Sequence, residues 1–118
     1  MDKLEFLILR NLIHNEEYVR KVLPFIKAEY FENYNEKVVF EEVSKFVEEY
    51  NKPVTKEVLC IETEKRQDIN DSSFKEITQL IGSLEEEHTE FNWLVDTTEK
   101  WCRDRAIYLA LMESIQLA

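Results

Sequence analysis

Glycine occurs once in this chain, and proline, cysteine and histidine twice each. A phosphate-cradling P-loop needs two glycines ahead of a Lys-Ser/Thr pair, and a GxGxxG dinucleotide fingerprint needs three, so both are excluded. Scarce glycine and proline also argue against a turn-rich β architecture and for helices. No apolar run approaches the ~20 residues that span a bilayer, and no basic-then-apolar leader opens the chain. Cys60 and Cys102 lie far apart without CxxC spacing, which favours two reduced core thiols over a disulfide. His14 and His88 show no HExxH or Cys/His spacing and read as surface or capping groups rather than metal ligands. No acidic pair is singled out as catalytic, because carboxylates occur all along the chain and none is marked by its surroundings. Catalytic, cofactor-binding and metal residues are therefore all read as none.

What is present is ordinary globular material: 118 residues, 44% hydrophobic and 34% charged. That length suits one domain with one core. Acids outnumber bases 25 to 15, a net charge of −10. Nucleic-acid affinity comes largely from clustered Lys and Arg, whereas here the bases are interspersed with acids, as in "EKRQD" and "WCRDR". Direct nucleic-acid binding is not expected, and basic protein partners are favoured.

Hydrophobic periodicity gives five or six helices and an all-α bundle. "DKLEFLILRNLI" carries a broad apolar face (Leu4, Leu7, Ile8, Leu12, with Phe6, Leu9 and Ile13), which suggests a central helix, and Asp2 with Glu5 resembles a capping box. Asn15 can cap a second helix that Pro24 should end, and "FIKAEYFEN" reads as a short turn packed down by Phe25, Ile26, Tyr30 and Phe31. Asn35 can cap "EKVVFEEVSKFVEEY", with Glu41 and Lys45 a solvated pair and Tyr50 on its apolar side. Thr55 can cap "KEVLCIETEKR". Ser73 with Glu76 reads as a second capping box opening "FKEITQLIGSL", near whose end Gly82 suits a helix-terminating position. "EEEHTE" is a linker, and Thr89 is the expected cap of a last helix. The expected organisation is a globular head over residues 1–88 and a long helix over 89–118, within one domain.

That last helix has a surplus of apolar residues. At ~1.5 Å per residue it spans about 45 Å, while a chain of this size folds to a diameter of roughly 35 Å. Phe91, Leu94, Val95 and Cys102 can pack at home, but Tyr108, Leu109, Leu111, Met112, Ile115 and Leu117 remain. Leaving a large apolar side chain in water forgoes roughly 1.5–3 kcal/mol, and several together mark an interface. Leu94, Trp101, Tyr108 and Ile115 recur at spacing seven with Thr98, Arg105 and Met112 between them, the pattern of a helix-pairing seam. Trp101 and Tyr108 are the expected anchors, and the bland alternative makes Trp93 and Trp101 core aromatics.

The stretches "NLIHNEEYVRKVLPFIKAEYFEN", "VVFEEVSKFVEEYNKPVTKEVL" and "FNWLVDTTEKWCRDRAIYLAL" resemble the amino-terminal domain of DnaB-type replicative DNA helicases of T-even-type bacteriophages. "VLPFIKAEYF" and "NWLVDTTEKW" are the most specific parts. The resemblance implies a helical head followed by a helical hairpin whose first arm is the last helix. It also implies paired domains in a hexameric collar that engages primase and other replisome proteins in the cytoplasm of the bacterial host. ATP and Mg belong to a motor domain that this chain lacks, so the collar role transfers only to Trp101, Arg105, Tyr108, Leu109, Met112 and Ile115. On this reading the chain stops within a helix because it is a piece of a longer helicase. A second reading is a free-standing acidic adaptor or DNA mimic that binds a basic host protein.

Overall fold

The computed structural model describes residues 2–117, without the side chain of Leu117, whose place on the apolar stripe lies outside the described residues along with Ala118. It contains six α-helices: α1 (Lys3–His14), α2 (Glu16–Val22), α3 (Tyr34–Tyr50), α4 (Lys56–Glu64), α5 (Asp71–Ser83) and α6 (Phe91–Leu117). Two 3₁₀ turns, Leu23–Phe25 and Ala28–Tyr30, bridge α2 to α3. Among the described residues there is no strand, so the fold is the all-α bundle its composition called for.

Each helix starts where a side chain takes up its free amides. Asp2 accepts from the N–H groups of Leu4 and Glu5, and Asn15 from that of Tyr18. Thr55 accepts from Val58 N–H. Other starts differ from the sequence reading by one to three positions. Asn33 rather than Asn35 caps α3, Asn70 rather than Ser73 caps α5, and the Glu90 carboxylate rather than Thr89 receives the Trp93 amide. Glu5 does not complete a capping box either, because its Oε1 accepts from Glu32 N–H instead. Gly82 lies inside the last turn of α5 without a positive φ, and the left-handed position is Asn51, which closes α3 with φ 53°.

The central element is α3 rather than α1. It packs against α1, α4, α5 and the Ala28–Tyr30 turn, whereas α1 lies against α2 and α3. Buried residues on several sides of α3 (Glu36, Val38, Val39, Phe40, Glu42, Val43) explain its place. The apolar ones among them join Ile8, Leu9 and Leu12 of α1, Leu59 of α4, and Ile77, Leu80 and Ile81 of α5 in one core. Phe25 and Tyr50, both expected to pack inward, are exposed. Glu41 bonds Arg66, not Lys45.

Hydrogen bonds to α1 and α2 help to position α6 and the loop before it. Tyr18 of α2 shares a buried 2.6 Å hydrogen bond with Thr98 of α6. In the preceding loop, Thr89 Oγ1 accepts from Arg10 and Asn11 of α1, both at 3.4 Å. The His14 ring hydrogen-bonds the Leu84 carbonyl at 2.6 Å.

Candidate functional site

The first half of α6 belongs to the head. Leu94, Val95, Thr98, Trp101 and Cys102 are buried, and the α6 surface they form meets α2 and the Ala28–Tyr30 turn. Burial, with the nearby Glu99 charge, pushes the Cys102 thiol up to about 11, as suits an unreactive core sulfur. Trp101, expected to anchor a partner, is only 8% exposed. Its ring meets Tyr30 edge-on with centroids 5.9 Å apart and lies 5.0 Å from the Phe31 ring. A residue so enclosed has little surface left to offer another molecule. Trp93, by contrast, is exposed.

From Arg103 onward the helix leaves its support. Only Arg105 and Leu109 are half-buried among the described side chains of 103–116. Tyr108, Met112 and Ile115 are exposed, from 37% at Met112 to 67% at Ile115. Exposed Ile107 and Leu111 join them. Ile107 was missing from the sequence-derived set, although its spacing of four from Leu111, and Leu111's from Ile115, was available as a signal.

The expected seam is therefore divided. Leu94, Thr98 and Trp101 are consumed at home, Arg105 and Leu109 stand at the border, and Tyr108, Met112 and Ile115 face solvent. The two apolar faces also point differently. At ~100° per residue, the exposed set is centred about 110° around the helix from the buried set. The outer face is thus not a simple continuation of the inner one. A partner helix laid along it would approach from a side that the head leaves open.

Arg105 points inward. Its Nε–H donates to the Tyr30 carbonyl at 2.6 Å, and Nη1 bonds Glu32 Oε1 at 3.3 Å. Its Cζ sits 5.0 Å from the centre of the Tyr108 ring. Beside this contact, Phe25, Tyr30, Cys102 and Ala106 line an open, mainly apolar cleft flanked by Glu99 and Arg103.

Fold and surface together define the class: an all-helical head carrying a projecting helical arm with an unpaired apolar face. No protein-family model matches the chain. Among known proteins, it is similar to the DnaB-like replicative helicase of Enterobacteria phage T4, with 29% identity over 111 residues. The match takes in 94% of this chain and 23% of that protein, so the chain spans about a quarter of the relative's length. The relationship to a phage DnaB-like helicase read from the sequence is the one this comparison finds. No helix among the described residues is long and apolar enough to cross a membrane.

Proposed function

We propose that this chain is the amino-terminal collar domain of a phage DnaB-like replicative helicase, serving ring oligomerisation and the docking of primase. The observation that carries the reading is the outer half of α6, where Ile107, Tyr108, Leu111, Met112 and Ile115 expose a continuous apolar face. Patches of this kind on an otherwise charged surface mark protein interfaces. Similarity along nearly the whole chain to part of a replicative helicase supplies the context. In this reading α6 is the first arm of a helical hairpin, domains associate in pairs, and the pairs build a hexamer in the parent protein. ATP hydrolysis, with its Mg, and translocation on DNA belong to a motor elsewhere in that parent. Primase and other replisome proteins are the further partners, met in the cytoplasm of the bacterial host. The domain itself does not grip nucleic acid, consistent with its net charge of −10.

Sedimentation equilibrium and light scattering over a wide concentration range test the assembly. The chain is expected to self-associate, and Tyr108→Asp combined with Met112→Asp is expected to weaken that association at least about tenfold, because burying a carboxylate without a partner is costly. A chain that stays monomeric at high concentration and is unaltered by the two changes overturns the reading. For primase docking, calorimetry with the cognate phage primase is expected to show binding to this domain.

A further inference from the structure

Arg105 stands where α6 ceases to be part of the head. One turn before it, Trp101 is locked against Tyr30 and Phe31. One turn after it Leu109 is half-buried, and every described side chain from Ala110 to Gln116 is exposed. At this border the Arg105 side chain, only 13% exposed, bonds the Tyr30 carbonyl through Nε and the Glu32 carboxylate through Nη1. Glu32 is itself held from behind, since its N–H donates to Glu5 Oε1 of α1 at 3.0 Å. The outer side of the same guanidinium lies against Tyr108.

We propose that Arg105 is a positioning residue, a latch that fixes the direction in which the arm leaves the head and holds Tyr108 ready for a partner. This rests on the reading that the outer half of α6 is an interface. From its place on the arm, one planar group reaches the 30–32 segment directly and α1 indirectly through Glu32 and Glu5, while its face lies against Tyr108 of the same helix. Only a guanidinium does all of this at once. Its fork donates in two fixed directions while its face covers an aromatic ring, whereas lysine is a single point charge. Precision matters here because the arm is long. The twelve residues beyond Arg105 extend roughly 18 Å, so a tilt of about 10° at the latch moves the tip by about 3 Å. Apolar side chains lose contact beyond ~4–4.5 Å, and a displacement of that size takes the stripe out of register with its partner.

The test separates arm geometry from assembly. Leu111→Asp with Ile115→Asp gives a monomeric background that leaves the latch intact. In it, NMR order parameters and residual dipolar couplings of amides 106–116 are compared for Arg105, Arg105→Lys and Arg105→Ala, with the thermal midpoint recorded for each. Both changes are expected to loosen the arm relative to the head, alanine more than lysine, while head amides keep their chemical shifts away from residues 30–32. In the otherwise unchanged chain, both are expected to weaken self-association at least about fivefold. Tyr108→Asp, in contrast, weakens association and leaves the arm aligned. An arm equally ordered in all three chains overturns the latch, whatever association does. A wild-type chain that does not associate overturns the interface reading while the NMR comparison still decides the latch. If Arg105→Ala unfolds the head, Arg105→Lys carries the decision alone.

Discussion

Glu36 is the residue whose environment is least comfortable. It sits in the first turn of α3, 1% exposed, and neither carboxylate oxygen has a hydrogen-bond partner. Burial, then the negative charges of Glu5 and Asp2, push its pKa up to about 7. Glu5 is raised for the same leading reason, although the Glu32 amide works against it. The folded chain therefore holds the Glu36 proton more tightly than the unfolded chain does. The stability this proton confers is fully present below about pH 4.5, declines as pH rises through about 7, and is gone above it. Urea midpoints are expected to fall between about pH 5 and pH 8, and Glu36→Gln is expected to flatten that slope and to be the more stable chain at the upper end, by up to a few kcal/mol. An equal slope in both chains contradicts the assignment. Asn51 is strained differently, through its left-handed backbone, while its side-chain and main-chain oxygens accept from Arg20. Asn51→Ala is expected to cost about 1–2 kcal/mol in chemical denaturation, and Asn51→Gly less, because glycine adopts this backbone freely.

Between elements, the strongest polar fastening is Arg66, which follows α4. It bonds Glu42 at 2.8 Å and Glu41 at 3.1 Å on α3, and Asp68 at 2.7 Å in the loop before α5. The hydrogen bonds from Arg66, with its charge behind them, draw the Asp68 pKa below the usual carboxylate range, and the bonded carboxylates raise that of Arg66 in turn. Glu42 is nearly buried, so removing its cation strands a charge. Arg66→Ala is expected to destabilise the fold by roughly 3 kcal/mol, and Asp68→Ala, whose side chain is well exposed, by much less. Thermal or urea unfolding of the two variants checks that order. The helix starts carry a related lesson. Existence and type of each helix were legible from periodicity, but several caps were displaced. In two cases the residue expected to cap is engaged by another element: Asn35 donates to Glu76 of α5, and Thr89 accepts from Arg10 and Asn11 of α1. A capping preference is local, and a neighbouring Asn or Glu takes over when packing claims the first candidate.

At the scale of the whole molecule, one long element both completes the core and extends past it. The extents of 43 × 36 × 27 Å leave little room to enclose a helix of 27 residues, about 40 Å long, along its whole length. Its inner half is covered and its outer apolar face is not. Because each copy carries a charge of −10, two copies repel at low salt while the proposed contact itself is apolar. Self-association is accordingly expected to persist or tighten as salt rises from about 0.05 to 0.5 M, with sedimentation as the measurement. Loss of association with salt contradicts an apolar seam and points to ion pairs instead.

By itself the sequence determined an all-helical chain, its helix boundaries to within a few residues, and the surplus of apolar side chains on the last helix, because periodicity and breaker residues act locally. It separated Leu94, Val95 and Cys102 from the exposed Tyr108, Met112 and Ile115 but did not place Trp101, which it offered both as an anchor and as a core aromatic. Leu94, Trp101, Tyr108 and Ile115 share one spacing, and nothing local separates Trp101, enclosed by Tyr30 and Phe31, from Tyr108, half in water. The inward turn of Arg105 and the choice of α3 as the central helix were likewise decided in tertiary structure. Which side of a helix meets which neighbour depends on segments distant in the chain, and here the 30–32 segment ends the head and begins the arm.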